Sequence, residues 1–467
     1  MTNRDKFKIL EFPEKFAPSD IRFGNLRGNE NFTRFILTYS ALIHECQFWE
    51  DEKIKDLQLL RFRHLLTYLK NNSEFWADYF FQFNLDIKNL KSEDLRKLPI
   101  LSRKALAERG DEIYIKDNHE KILFRHTSGT SGMPLRIFYD QRELIIASFG
   151  HLFTHPVFLN ENIESLLENK FAVCLGSAAV GDWLKDFAYN FILTSSVMED
   201  SVQRRKIYGK IKEIGRVFLS GFSSLIFKFA EGVYNEKIVL PIFASKLVGE
   251  PLPTDSKKFI QKVLGASLVN VYASAETRSS AFECLQNPEK FHVYSDRIIL
   301  EIVDENGLVV RSGDEGNIVM TVLDHRVTPI IRYDLGDIGR IIPEKCPCGR
   351  TAPLFEFRGR RGDELELPSG AKVSCIIIQG ALMNAGIPKI AREFQLIKET
   401  PRHLRLLIIP RINSHKLREG CEVLIRSALS ELFSVDKIVI DIEYVSELSR
   451  TPSGKPIFLA PLIRRGN

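Results

Sequence analysis

The run Thr127-Ser128-Gly129-Thr130-Ser131-Gly132-Met133-Pro134 stands between two strand-like segments, Phe124–His126 and Leu135–Tyr139. Its glycines let the backbone turn through positive φ and approach a ligand closely, and the freed N–H groups with four side-chain hydroxyls can cradle the oxygens of a polyanion. This is not the Walker loop, in which Gly-Lys-Ser/Thr opens a helix; no lysine follows here, and the exit reads as a strand. Taken alone, the same residues also suit a Ser/Thr/Gly turn in a hairpin.

Outward from that run the texture is α/β. Apolar stretches of strand length, Ile122–Phe124, Leu135–Tyr139, Phe171–Leu175, Val217–Leu219, Ile242–Leu247 and Leu268–Tyr272, alternate with helix-like segments such as Gln203–Ile214 and Lys257–Leu264. Such alternation predicts a body with largely parallel sheets. Residues 1–118, rich in Lys, Glu, Leu and Phe with apolar spacing as in Leu57–Tyr68, predict a mostly helical region. From Ile298 to Val322 the pattern is strand, Asp-Glu-Asn-Gly turn, strand, Ser-Gly-Asp-Glu-Gly turn, strand, an antiparallel subdomain. The run Phe357–Asp363 reads as a linker, and the remainder as a small α+β domain with strands near Leu404–Ile409 and Lys437–Tyr444 and a helix around His415–Leu432.

The chain has 467 residues, 44% hydrophobic and 27% charged, with 65 Lys and Arg against 60 Asp and Glu. This is ordinary globular usage and excludes collagen-like, disordered and disulfide-scaffold classes. A net charge of +5 spread over the chain gives no basic tail or face, so nucleic acid is not an expected partner. Seven irregularly spaced cysteines predict an intracellular protein with a few special thiols. The N-terminus lacks the apolar core of a secretory signal, and no apolar stretch approaches the ~18 residues that span a bilayer. A cytoplasmic protein without membrane insertion is expected.

Further motifs follow in order: Gly249-Glu250, Val271-Tyr272-Ala273-Ser274-Ala275-Glu276, Pro329-Ile330-Ile331-Arg332-Tyr333-Asp334-Leu335-Gly336-Asp337, Gly359-Arg360 and Arg450-Thr451-Pro452-Ser453-Gly454-Lys455-Pro456. Together with Thr127–Gly132, this set resembles the adenylate-forming superfamily, and within it the phenylacetate-CoA ligase and CapK-like branch. The resemblance implies that residues 1–358 form a multi-subdomain adenylation domain, with 1–118 mostly helical, 119–297 α/β and 298–358 antiparallel, and that 359–467 form a small mobile α+β lid. It implies ATP and Mg²⁺ as cofactors and a small aryl or acyl carboxylic acid as substrate, activated to an acyl-AMP with release of pyrophosphate. Transfer to a thiol of coenzyme A or a carrier protein would follow, and a homodimer is admissible. By the same resemblance Thr127, Ser128, Gly129, Thr130, Ser131 and Gly132 hold phosphates, Tyr272 stacks on adenine beside Ala273 and Ser274, and Glu276 holds Mg²⁺. Asp337 would bind the ribose hydroxyls, Arg360 would meet the nucleotide at the hinge, and Lys455 would be the catalytic lysine. A compact, flexible ammonium suits bridging of carboxylate and α-phosphate oxygens.

The family pattern is altered in places: Leu135-Arg136 stands where many relatives have a lysine, Ala275 where a threonine precedes the glutamate, and Gly362 at the usual hinge position. Two rivals stay open, an adenylating enzyme that serves an amine or hydroxyl in capsule or natural-product assembly, and a non-catalytic nucleotide-binding homologue. Cys284, His292, Cys346 and Cys348 supply the donors of a closed tetrahedral zinc site, which would be structural, and the CapK-like branch shows a similar pattern. Cys46, Cys174, Cys375 and Cys421 read as buried small hydrophobes. The acid pocket is expected from Ala147–Phe158, Cys174–Trp183 and Gly221–Ile226, with His126 a further candidate beside the phosphate run.

Overall fold

The computed structural model describes residues 8–115, 122–126, 135–158, 161–176, 186–192, 200–249, 252, 254–411, 415–449 and 458–460. Those residues fall into two compact units, the larger from residues 8 to 335 with 339–357, and the smaller from 336–338 and 358 to 460. Thr127, Ser128, Gly129, Thr130, Ser131, Gly132, Glu250 and Lys455 lie outside the described residues.

The larger unit begins with helices whose starts are written in the sequence. Asn29 caps Glu30–Cys46 by accepting from the Phe32 N–H, and Ser102 caps Arg103–Ile113 by accepting from Ala105. The hairpin β1 (Ile122–His126) and β2 (Arg136–Asp140) follows, antiparallel with His126 opposite Arg136. Asp140 then caps the helix Gln141–Leu152 through the Arg142 and Glu143 N–H groups. The main sheet collects β3 (Ala172–Gly176), β4 (Ala188–Ile192), β5 (Val217–Phe222), β6 (Ile242–Val248), β7 (Ser267–Ser274), β8 (Arg278–Cys284), β9 (Asn287–Val293), β10 (Ile298–Val303), β11 (Gly316–Val322), β12 (Tyr333–Ile342) and β13 (Leu354–Arg360). It has 11 strands in the order β10-β11-β12-β13-β9-β8-β7-β6-β5-β3-β4. Strands β3 to β7 pair in parallel, and β7-β8, β8-β9, β9-β13 and β10-β11 pair antiparallel.

Alternation along the parallel strands divides the core. Ala172 and Cys174 of β3 join a cluster with the N-terminal helices and Gln141–Leu152, whereas Val173 and Leu175 join a second cluster with Ile207, Ile226, Phe229 and Ile260 from helices on the opposite face. The predicted parallel and antiparallel parts are thus stretches of one continuous sheet.

Two expectations change. The middle run Leu308–Arg311 makes only an isolated bridge, Val303 to Val309, because β10 pairs directly with β11 from Ile298–Val322 to Val303–Asn317. Of the predicted linker, Phe357–Arg360 continues β13, and the division between the units falls after Phe357. Glycine and arginine there report the end of a strand rather than an irregular connection.

Buried ion pairs knit the larger unit. Arg297, only 1% exposed, and Arg278 both reach Asp324, at 2.9 and 2.6 Å. Although burial opposes its ionisation, these guanidinium groups hold the Asp324 carboxyl well below the usual range. A depressed carboxylate contributes stability in full above its unfolded value near ~4 and loses it as pH falls below that. Asp324→Ala strands two buried cations, so a loss of about 3–5 kcal/mol is expected in chemical denaturation at neutral pH. A loss under about 1 kcal/mol would refute this account of the pairing.

The smaller unit contains the β-hairpin β14 (Glu364–Glu366) and β15 (Lys372–Ser374), and a sheet built from β16 (Ala391–Thr400), β17 (His403–Pro410), β18 (Val439–Tyr444) and β19 (Leu459–Ala460). The sheet order is β18-β17-β16-β19, with β16 and β17 antiparallel and both outer strands parallel to their neighbours. Leu396, Leu404, Leu406 and Ile408 pack with Ile378, Leu382, Ile425 and Leu429 from the helices Cys375–Asn384 and His415–Leu432. The α+β reading of this segment matches.

Candidate active site

Tyr272, Ala273 and Ser274 end β7, and the chain turns back through Ala275–Thr277 into β8. Ser274 Oγ accepts the Thr277 N–H at 3.1 Å and lies 3.0 Å from the Thr277 hydroxyl, which closes the turn. The Tyr272 ring is half-buried and packs against Phe355 at 5.3 Å and Phe357 at 5.7 Å. Glu276, at the tip, is buried, and its Oε1 accepts from Tyr333 Oη at 3.0 Å and from Arg103 Nη1 at 3.1 Å. Burial and the Glu276 charge push the Tyr333 phenol well up, so it stays a donor.

A second tie arrives from β2. The buried Tyr139 hydroxyl donates to the Ala275 carbonyl, and burial pushes that phenol up to about 12. His325 stacks on the Tyr139 ring at 5.0 Å, and Thr328 Oγ1 accepts from the Phe138 N–H. The hairpin that flanks Thr127–Gly132 is therefore fastened to the Glu276 turn, and so is Tyr333 from the Pro329–Asp337 motif. Asp337 and Arg360, both predicted to meet the nucleotide, lie in the smaller unit with Arg360 Nε 3.7 Å from Asp337 Oδ1.

The four zinc-ligand candidates converge. The donor atoms of Cys284, His292, Cys346 and Cys348 all lie within 4.8 Å of one another. Cys284 and Cys346 sulfurs are 3.5 Å apart, and His292 Nε2 is 3.2 Å from the Cys348 sulfur. A tetrahedron with Zn–S bonds of ~2.3 Å has sulfur–sulfur edges of about 3.8 Å, close to these separations. Cys284 ends β8, His292 lies on β9, and the two remaining thiols come from the β12–β13 loop, where the Gly349 N–H donates to the Cys346 carbonyl at 3.0 Å. Gly349 takes φ +80°, which an L side chain adopts only with strain, so glycine serves the turn. His292 Nδ1 donates to the Ala352 carbonyl at 3.1 Å, leaving Nε2 deprotonated toward the thiols, and burial lowers its pKa to about 4. Burial also pushes the Cys284 thiol up to about 12, a pull that a bound cation would reverse. All seven cysteines are free, and Cys46, Cys174, Cys375 and Cys421 are buried as expected.

No protein-family model matches the chain. Among curated proteins it is 23% identical to the phenylacetate-coenzyme A ligase of Thermus thermophilus over 357 residues, covering 74% of this chain and 78% of that one. It is 21% identical to protein CapK of Staphylococcus aureus over 322 residues, covering 67% and 68%. The chain belongs to the adenylate-forming superfamily. It lies in the phenylacetate-CoA ligase and CapK branch and is an adenylate-forming ligase. Its fold is that of a solved 2-hydroxyisobutyryl-CoA ligase in the postadenylation state in complex with R3-HIB-AMP, with a TM-score of 0.70, 18% identity, and coverage of 89% of this chain and 90% of that one.

Within that superfamily frame, sequence reading missed the two residues that hold the ligase's Glu276. Tyr333 sits inside a motif already singled out, but Arg103 lies in a helix with no motif around it. Of the segments expected to form the acid pocket, Ala147, Ser148, His151 and His155 line a cavity with Lys246, Ser279 and Tyr294, and residues 177–183 lie outside the described residues. Leu225 and Ile226 instead face the second core, and Gly221 is glycine because a Cβ would meet the Leu175 carbonyl at 2.5 Å. Lys246 had a signal, a lysine in an otherwise apolar strand. Among the described residues, no helix is long and apolar enough to cross a membrane.

Proposed function

We propose that this ligase activates a small carboxylic acid with ATP, forming an acyl-AMP and pyrophosphate, and then transfers the acyl group to the thiol of coenzyme A. The observation that carries the reading is the meeting of three motif segments at one turn: β2 through Tyr139 on Ala275, and Tyr333 of the Arg332–Asp337 run on Glu276. Two proteins named above, a phenylacetate-coenzyme A ligase and a 2-hydroxyisobutyryl-CoA ligase in complex with R3-HIB-AMP, support the same chemistry.

In the first step a carboxylate oxygen of the acid attacks the α-phosphorus and the bond to the β-phosphate breaks. Thr127, Ser128, Gly129, Thr130, Ser131 and Gly132 hold the phosphates, and Lys455 spans the carboxylate and the α-phosphate oxygens as negative charge builds there. Tyr272 faces the adenine beside Ala273 and Ser274, Asp337 accepts the ribose hydroxyls, and Arg360 meets the nucleotide. Glu276 fits Mg²⁺ by its chemistry, a buried carboxylate whose bonds from Arg103 and Tyr333 both fall on one oxygen, and the ion would neutralise phosphate charge when bound. In the second step the coenzyme A thiolate attacks the acyl carbon and AMP leaves. Rotation of residues 359–467 about 359–363 would withdraw Lys455 between the steps. Cys284, His292, Cys346 and Cys348 would hold a structural Zn²⁺, which would tie the β8–β9 hairpin to the β12–β13 loop.

The direct test incubates the protein with ATP, Mg²⁺, coenzyme A and a panel of aryl and aliphatic acids, reading pyrophosphate release and the acyl thioester by mass spectrometry. Acid-dependent release with thioester supports both steps; ATP binding without release from any acid sinks the reading. Tyr333→Phe removes one of the two donors on Glu276. Loss of such a supporting hydrogen bond is expected to slow adenylation by about 10–100-fold, with a raised Mg²⁺ requirement. Unchanged Mg²⁺ dependence would separate Tyr333 from the metal site.

A further inference from the structure

Lys246 of β6 points toward the helix Gln141–Leu152 from the sheet row Cys174, Ser220, Lys246 and Val269, residues that stand side by side in register. It lines a small cavity of about 30 Å³, whose wall also includes Ser148, His155, Arg278, Ser279 and Tyr294. Arg278 and Ser279 come two and three residues after Glu276, so the cavity adjoins the turn that carries the proposed chemistry.

The charges of this wall do not balance. Arg278 and Arg297 share the single carboxylate of Asp324, and His151 is matched by Asp296 at 3.0 Å. Lys246 has no carboxylate within ion-pairing distance among the described residues. Burial, the largest influence, lowers its pKa to about 8; Cys174 lies near enough to favour the charge and Arg125 near enough to disfavour it. His155 is itself buried and tied to the Tyr294 hydroxyl at 3.1 Å, so it offers no negative partner. Arg278 adopts φ +58° although it is not a glycine, a conformation held by its pairing with Asp324, and such positions concentrate at ligand sites. An amine kept half-buried without a counter-ion is costly unless a ligand supplies one.

We infer that this cavity receives a second anionic group on the far end of the acid, so that the substrate class is a dianionic acid such as a dicarboxylate rather than a plain fatty or aryl acid. The inference rests on the adenylation reading for the reacting end only. Lys246 pairs with the second anion, and the hydroxyls of Ser148 and Ser279 line the same space. A site built around a charge rejects the analogue lacking it far more strongly than an apolar pocket rejects an extra methylene.

The test compares hexanoate, adipate and 6-phosphonohexanoate as substrates for wild type, Lys246→Met and Lys246→Arg. The adipate-to-hexanoate ratio of kcat/KM is expected to exceed about ten in wild type and to fall by about tenfold or more in Lys246→Met, with part of it kept in Lys246→Arg. Preference for the phosphono acid over adipate would assign the second group as a phosphate-like anion. A wild type favouring hexanoate, or a ratio unmoved by Lys246→Met, overturns the proposal. Thermal shifts with each acid and no ATP separate the two readings. If no acid releases pyrophosphate but adipate raises Tm in wild type and not in Lys246→Met, the adenylation reading fails and the anion site stands; no Lys246-dependent shift overturns the site.

Discussion

Lys455→Ala is expected to lower acid-dependent pyrophosphate release by about 10²–10³-fold while ATP binding persists, the cost of removing one preorganised charge from a developing anion. The argument begins with the reaction. A carboxylate and a polyphosphate repel one another, and the protein has little covalent work to do beyond bringing them together and absorbing the charge that appears between them. Thr127–Gly132 offers neutral hydroxyls and N–H groups, and no lysine follows it. A mobile point charge must therefore come from elsewhere, and Lys455 beside Gly454 is suited to deliver one. An ammonium that acts in the transition state predicts a fall in kcat larger than any rise in the KM for ATP. Isothermal binding of ATP alongside the release assay separates these effects, and release within about tenfold of wild type would remove Lys455 from the mechanism.

The protein purified without chelators is expected to carry about one equivalent of zinc per chain, and Cys284→Ser or Cys346→Ser to lose it. Three thiols and an imidazole within 4.8 Å satisfy a closed tetrahedral shell, and the histidine is preset by its Ala352 hydrogen bond. Structural zinc contributes on the order of 10 kcal/mol of binding free energy in small domains, where it is folding free energy. In a larger unit only the part tied to global unfolding appears, and a fall in Tm of roughly 5 °C or more is expected. The corner that loosens is defined. The β12–β13 loop is also clamped to the end of the first long helix, where Thr351 N–H donates to the Gln47 carbonyl at 3.0 Å and Arg350 Nε to Gln47 Oε1 at 2.7 Å. Elemental analysis, thiol titration with and without chelator, and a melting curve decide the matter. Metal-free protein whose four residues titrate freely, with Tm unmoved in both variants, would leave the cluster as a small apolar knot of thiols.

Much of the architecture was legible because it rests on local rules. The strand-length runs Phe171–Leu175, Val217–Leu219 and Ile242–Leu247 and the helix-like Gln203–Ile214 and Lys257–Leu264 could be read from apolar spacing over a few residues. The alternation in Ala172–Gly176 assigns each side chain to a face before any neighbour is known. The nucleotide and zinc candidates could be named because their chemistry restricts residue type: glycine and hydroxyls for phosphates, carboxylate for a hard cation, thiols with imidazole for zinc. What escaped were contacts that pair distant residues without demanding an unusual composition. Tyr139 meets Ala275 across 136 positions and Tyr333 meets Glu276 across 57, and a tyrosine on a strand carries no mark of the hydroxyl's destination. The middle run Leu308–Arg311 looked like a strand because its residues would suit one, but β10 takes its edge of β11 first.

By itself the sequence determined which groups are present and which local backbone shapes they favour, since propensity, capping and alternation act over a few residues. Only the tertiary structure decided that Cys284 and Cys346 come to 3.5 Å, that Glu276 sits under Tyr333 and Arg103, and that Lys246 faces a cavity with no matching carboxylate among the described residues. These depend on the register of the 11-stranded sheet, which the packing of its two faces sets as a whole, and no single segment carries that information.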